Sequence, residues 1–167
     1  FNIEIAKSFF TLADEYHINP MMAISQSILE TGWFKFAGSS VKPSQNNYCG
    51  LGATGGGVAG AVFDSVETGV RAQLQHLYAY GCKDALPDDE STIVDPRFKY
   101  VTRGIAKYWE ELAGRWACPG YDGGPVLCQR TDSHFRQIRL ALWPLCCRSP
   151  LLHGNHRTQS PRRFLPV

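Results

Sequence analysis

The segment AISQSILETGWF, residues 23–34, places a single carboxylate among isoleucine, leucine, tryptophan and phenylalanine side chains. Asn19 and Pro20 precede this segment, and such a pair is typical of a helix N-cap followed by the first helical residue. Gly32 is a natural residue just beyond a helix C-terminus. These signals predict a helix that begins at Pro20, ends just before Gly32 and carries the acid, Glu30, in its last turn.

The surroundings of Glu30 favour a raised pKa for its carboxyl group. Spacings of three and four residues put Ala23, Gln26 and Glu30 on one helix face. Burial beside Trp33 or Phe34 would disfavour the charged carboxylate, and the negative end of the helix dipole would do the same. A carboxylic acid that stays protonated near neutral pH is the general acid that glycosidic bond cleavage requires. The alternative is an ordinary solvated glutamate on a helix.

Outward from this helix, the chain is predicted to be mainly α with one small β-hairpin lobe. Apolar residues at helical spacing predict a helix over residues 3–16, and the motif DSVE predicts another that is capped by Asp64. Residues 50–63 are glycine-rich and then β-branched, which favours a short hairpin. The apolar spacing over residues 105–112 predicts one more helix.

Composition changes abruptly near residue 122, which indicates a boundary. Residues 1–122 hold 10 Lys and Arg against 14 Asp and Glu, a net charge of −4, whereas residues 123–167 hold 7 against 1, a net charge of +6. The second part also holds five of the ten prolines. We therefore predict one domain over residues 1–122. The tail over residues 123–167 is atypical and basic: disordered, translated out of frame, or a genuine basic arm.

Several functional classes are disfavoured by the sequence. No apolar run approaches the roughly 20 residues that a membrane-spanning helix needs. The larger part is net negative with scattered bases, which argues against nucleic-acid binding. The motif GLGATG, residues 50–55, follows a polar segment rather than a strand, so it does not predict a dinucleotide site. The six cysteines include no CxxC pair, and neither a metal nor a cofactor is predicted.

Five blocks of sequence follow one another along the chain: ISQSILETGWF, NNYCGLGATGG, VFDSVETGVRAQLQHLYAY, VDPRF and ELAGRWACPGYD. Taken together and in order, they resemble the bacterial glucosaminidase domain of glycoside hydrolase family 73. The resemblance covers residues 1–122 and implies a lysozyme-like fold. It also implies an extracellular, wall-associated or phage-encoded enzyme that acts on peptidoglycan glycan strands without a cofactor. In that family the glutamate that ends the corresponding helix is the general acid, and its counterpart is Glu30.

The reaction that this resemblance implies is hydrolysis of the β-1,4 bond after N-acetylglucosamine. Two other functions stay open: a lytic transglycosylase or muramidase acting on the same glycan, and a non-catalytic module that binds the cell wall. A second catalytic carboxylate would come from Asp64 or Glu67, although both also fit a capping box for the next helix. If neither reaches the substrate, the 2-acetamido group of the sugar could be the nucleophile.

Four further residues are predicted to contact or organise the substrate. Gln26 lies one turn before Glu30 and could orient its carboxyl group. Asn47 can hydrogen-bond an acetamido group, and Tyr48 offers a ring face and a hydroxyl, unless it is a packed turn residue. Tyr100 follows the segment DPRF and is placed near the substrate by the resemblance alone. Trp33 is predicted to be a core residue rather than a sugar platform.

Overall fold

Three α-helices dominate the computed structural model, which describes residues 2–87, 90–112, 115 and 116. They are α1 (Ile3–Glu15), α2 (Pro20–Glu30) and α3 (Val66–Gly81). No strand occurs within those described ranges, and the mainly helical class is confirmed. The predictions for the tail, residues 123–167, lie outside the described residues. Short 3₁₀ turns lie at Pro43–Gln45, Glu90–Thr92, Phe98–Tyr100 and Trp109–Leu112.

The first two helices begin at asparagine caps. The Asn2 side chain accepts a hydrogen bond from the Glu4 amide at 2.9 Å. The Asn19 side chain accepts from the amides of Met21 and Met22 at 2.9 and 3.2 Å, as its position before a proline predicted. Each cap supplies acceptors for amides that have no partner inside the helix.

The hairpin expected over residues 50–63 is not found as strands. Six of its glycines have positive φ, including Gly52 and Gly60 at 75°, and a strand requires extended backbone at successive residues. The segment is instead a loop whose two arms are joined where the Ala61 amide donates to the Leu51 carbonyl at 2.8 Å. The glycine content thus produced turns rather than a β-ladder.

The last predicted helix, over residues 105–112, is present only as the 3₁₀ turn Trp109–Leu112. The Ala106 amide donates to the Tyr80 carbonyl at the end of α3, at 2.9 Å. The Glu111 carboxylate accepts from the Lys107 amide at 2.6 Å, so it ties down the backbone just before the turn. The amides of Ala106 and Lys107 therefore donate to the end of α3 and to a side chain, not to carbonyls within a continuous helix.

The core lies where α1 packs on α2 and on α3. Gly69 lets α3 approach the loop that follows the first 3₁₀ turn, because a Cβ at this position would lie 1.8 Å from the Asn46 carbonyl oxygen. The close approach brings Asn46 against the first turn of α3. The most deeply buried apolar side chains are Phe9, Tyr16, Val70, Leu74, Leu77 and Trp109.

Candidate active site

Glu30 is the last residue of α2, as the sequence predicted. Its carboxyl group is buried although the residue as a whole keeps some solvent exposure. Burial raises the pKa of Glu30 from its ordinary value of 4.5 to about 7. Its Oε1 atom is buried without a hydrogen-bond partner among the described residues. An unpaired buried carboxyl oxygen favours the protonated form, which can donate a proton to a bound group.

Buried amides hold α2 in place one turn before Glu30. Gln73 of α3 donates from Nε2 to the Gln26 Oε1 atom at 3.0 Å and to the Ala23 carbonyl at 3.2 Å. Its Oε1 atom accepts from the Ser27 hydroxyl at 2.8 Å. Gln26 is therefore buried one turn before the acid and is bonded to α3. That Gln26 orients Glu30, or bonds it directly, stays a prediction.

A second buried acid, Asp95, was not singled out from the sequence. Its Oδ2 atom lies 2.6 Å from His76 Nδ1, and its Oδ1 atom accepts from the Arg97 amide at 2.8 Å. Burial, the charge of Glu30 and then that of Asp95 raise the pKa of the Cys49 thiol. The thiol is therefore neutral, and it lies near enough to both acids to respond to their charge. Pro96, directly after Asp95, was the signal in the sequence that could have indicated a structured turn at this acid.

The two carboxylates predicted as second catalytic groups lie on the surface. Asp64 is exposed just before α3. The Glu67 Oε1 atom lies 3.5 Å from Arg71, which also bonds Glu15 at 3.1 Å. No described contact joins Asp64 or Glu67 to Glu30, and a catalytic role for either stays a prediction.

Asn47 and Tyr48 are buried within the loop rather than displayed on it. The Asn47 side chain donates to the carbonyls of Leu51 and Ala61 at 2.9 and 3.1 Å and accepts from the Leu51 amide at 2.9 Å. The Tyr48 ring meets Phe34 edge-on with centroids 6.1 Å apart. Burial, and secondarily the charge of Glu4, raises the pKa of Tyr48 to about 12. Their polar atoms bond inside the loop, and contact with a sugar stays a prediction for both.

Tyr100 lies on the surface at the end of the turn Phe98–Tyr100. The Arg97 guanidinium is 4.7 Å from its ring centroid and the Lys99 ammonium is 5.1 Å away. Both distances are within the range of a cation–π contact. Tyr100 thus presents a ring flanked by two positive charges, and its role toward a substrate stays a prediction.

The chain leaves α2 through a left-handed turn. Gly32, Trp33 and Phe34 have φ of 58°, 63° and 58° in succession. For the two aromatic residues this conformation costs about 1–3 kcal/mol each. Trp33 is 73% exposed, so the prediction that it is a core residue is wrong. The helical period does not continue past Gly32, and the positive φ turns the indole outward.

In the described part of the chain, no group of three or more histidine, cysteine or acidic side chains could hold a metal ion. Over the same residues, the helices are too short or too polar to cross a membrane. Cys49 and Cys82 are free cysteines.

Comparisons with known proteins identify relatives of this chain. The family model Glucosaminidase, described as mannosyl-glycoprotein endo-beta-N-acetylglucosaminidase, matches residues 6–122. An uncharacterised protein of Borreliella burgdorferi is 37% identical over 113 residues, which are 68% of this chain and 53% of that protein. The chain therefore spans about half the length of this relative. No solved structure matches.

Proposed function

The chain belongs to the glucosaminidase family, and from that premise we propose that it hydrolyses the β-1,4 bond after N-acetylglucosamine in peptidoglycan, with Glu30 as the general acid. The observation that carries the proposal is the Glu30 carboxyl group, buried and unpaired at Oε1 with its pKa raised to about 7. Near neutral pH a large fraction of this group holds a proton for the leaving oxygen. A lysozyme-like arrangement of the helices and a location at the bacterial wall belong to the same proposal.

The reaction that these residues support begins with proton transfer from Glu30 to the glycosidic oxygen as the bond to the anomeric carbon breaks. The nucleophile is the carbonyl oxygen of the neighbouring 2-acetamido group, which closes a ring on the anomeric carbon. Water then opens that ring and returns a proton to Glu30. This route is favoured because Asp64 and Glu67 are exposed and Glu67 pairs with Arg71. No acid lies in residues 50–63.

The direct test is digestion of purified peptidoglycan by the wild type and by Glu30→Gln, followed by mass spectrometry of the reduced products. We expect new N-acetylglucosamine reducing ends with the wild type and a loss of at least a hundredfold in rate with Glu30→Gln, since general acid catalysis contributes about 10²–10⁴. Anhydro-muramic products would identify a transglycosylase. Binding without any product would identify a wall-binding module. An active Glu30→Gln enzyme would remove Glu30 from the mechanism.

The second carboxylate is tested separately with Asp64→Asn and Glu67→Gln. Both side chains are exposed, so neither change is expected to disturb folding. We expect both variants to keep wild-type rates if the acetamido group is the nucleophile. A loss as large as that of Glu30→Gln in either variant would replace the acetamido group with that carboxylate.

A further inference from the structure

Trp33 presents an aromatic ring to solvent directly after the helix that carries Glu30. It is 73% exposed, whereas Phe34 packs against the core and Phe36 is buried. The same turn thus directs two aromatic side chains inward and one outward. An indole is large and apolar, and its exposure forgoes the burial that its neighbours obtain. A bound partner that covers the ring would recover that burial.

The turn is held by hydrogen bonds on both sides of Trp33. The Trp33 amide donates to the Ile28 carbonyl at 2.7 Å. The Phe34 amide donates to Thr31 Oγ1 at 2.8 Å, and the Phe36 amide donates to the Thr31 carbonyl at 2.9 Å. The backbone at Trp33 is therefore fixed in its left-handed conformation. Strain that is maintained in this way is characteristic of functional positions.

We propose that Trp33 is a platform for one sugar ring of the glycan strand, beside the bond that Glu30 cleaves; this inference rests on the proposed function. Trp33 lies three positions after Glu30 in the chain, so their Cα atoms are at most about 11 Å apart. The flat face of an indole suits the apolar face of a pyranose ring, and its Nε1 donates one hydrogen bond. The class of ligand is thus a β-1,4-linked N-acetylated sugar polymer.

The test measures binding in a background without catalysis. The probe is the N-acetylglucosamine tetramer. It is titrated by calorimetry into the Glu30→Gln protein and into the double variant that carries both Glu30→Gln and Trp33→Ala. We expect Trp33→Ala to weaken binding about tenfold and Trp33→Phe, which keeps a ring, to lose less than about threefold. Met21→Ala in the same background is the matched control, because Met21 is an exposed apolar residue on α2 itself, and the affinity of this variant should equal that of Glu30→Gln.

The outcomes separate this inference from the proposed function. Equal affinity with and without the indole, or no binding of the tetramer to Glu30→Gln, overturns the platform even if the wild type digests peptidoglycan. Weakened binding by Trp33→Ala in a protein that releases no product supports the platform and overturns the hydrolase. Thermal unfolding monitors the fold of each variant. Trp33→Gly, which suits the positive φ, repeats the measurement if Trp33→Ala unfolds.

Discussion

Glu30 and Asp95 are carboxylic acids with opposite surroundings in one small protein. Both oxygens of Asp95 have partners, since Oδ2 lies 2.6 Å from His76 and Oδ1 accepts from the Arg97 amide at 2.8 Å. Glu30 Oε1 is buried and has none among the described residues. Paired oxygens stabilise a structure, whereas a buried acid without a partner costs stability, and it costs more when charged than when protonated. This contrast agrees with a structural role for Asp95 and with the proposed role of Glu30 as a general acid.

The pH dependence of activity follows from the pKa of Glu30. A general acid acts in its protonated form, and burial raises the pKa of Glu30 to about 7. We expect kcat/KM for soluble glycan fragments to fall about tenfold per pH unit above pH 7. Rates between pH 5 and 9 measure this, and Asp14→Asn, a change at an exposed acid of α1, should follow the wild-type profile. A decline that begins at pH 4–5 would contradict the assignment.

The stability of the fold should depend on pH through the same group. The folded state keeps the Glu30 proton up to about pH 7, while the unfolded chain releases it near 4.5, so the free energy of unfolding falls as pH rises between these values. At about 1.4 kcal/mol per pH unit the loss is at most roughly 3.5 kcal/mol. Glu30→Gln removes this titration.

Urea unfolding of the wild type and of Glu30→Gln at pH 4 and pH 8 measures this loss. Relative to the wild type, Glu30→Gln should gain up to roughly 3.5 kcal/mol of stability between the two pH values. The comparison uses the change between pH values because the new amide has its own desolvation cost. Parallel stability curves for the two proteins would show that Glu30 is not buried in its acid form.

The sequence predicted that Glu30 lies in the last turn of α2 with Gln26 one turn before it, but it missed how the neighbouring loop and turn are arranged. The position of Glu30 follows from local signals, the cap at Asn19 and the stop at Gly32, and these act within one helix. The burial of Asn47 depends on bonds to Ala61, fourteen residues away, which no local pattern contains. Trp33 was misassigned because its direction depends on a positive φ rather than on helical spacing.

At the scale of single elements, the start of α3 offers two neighbouring residues that could form the N-cap, and one of them does. Both Asp64 and Ser65 are good N-cap residues by type, and Asp64 was predicted from the motif DSVE. In the structure Ser65 is the N-cap, and its Oγ accepts from the Thr68 amide at 3.1 Å. The motif thus located the helix start to within one residue, but it did not distinguish Asp64 from Ser65 as the N-cap.

A pair of alanine variants tests this cap. Ser65→Ala should lower the free energy of unfolding by about 1 kcal/mol, because the Thr68 amide loses its acceptor. Asp64→Ala, the adjacent matched change, should alter it by less than about 0.5 kcal/mol, since that side chain is exposed. Thermal or urea unfolding of both proteins gives the two values. The reverse order of losses would place the cap at Asp64.

At the scale of the whole molecule, α3 joins the other elements through two buried glutamines. Gln73 bonds α2, the helix that carries Glu30. Gln75 donates to the Thr92 carbonyl at 3.1 Å and accepts from the amides of Val94 and Asp95 at 2.8 and 3.2 Å. Neither was predicted from the sequence, because a polar residue at a helical position ordinarily indicates a solvated face. Their partners lie on distant segments, so only the assembled fold satisfies them.

This arrangement predicts that equal losses of stability will have unequal effects on activity. Methionine keeps the length of glutamine but removes its polar atoms, so Gln73→Met and Gln75→Met should each cost about 2 kcal/mol by leaving buried partners unsatisfied. Gln73→Met should also lower kcat several-fold at a temperature where both variants are folded, because it loosens the helix beneath Glu30. Gln75→Met should keep kcat, since its bonds hold the segment over residues 92–95. Urea unfolding with digestion rates measures both quantities, and equal kcat in the two variants would mean that Gln73 contributes only to folding.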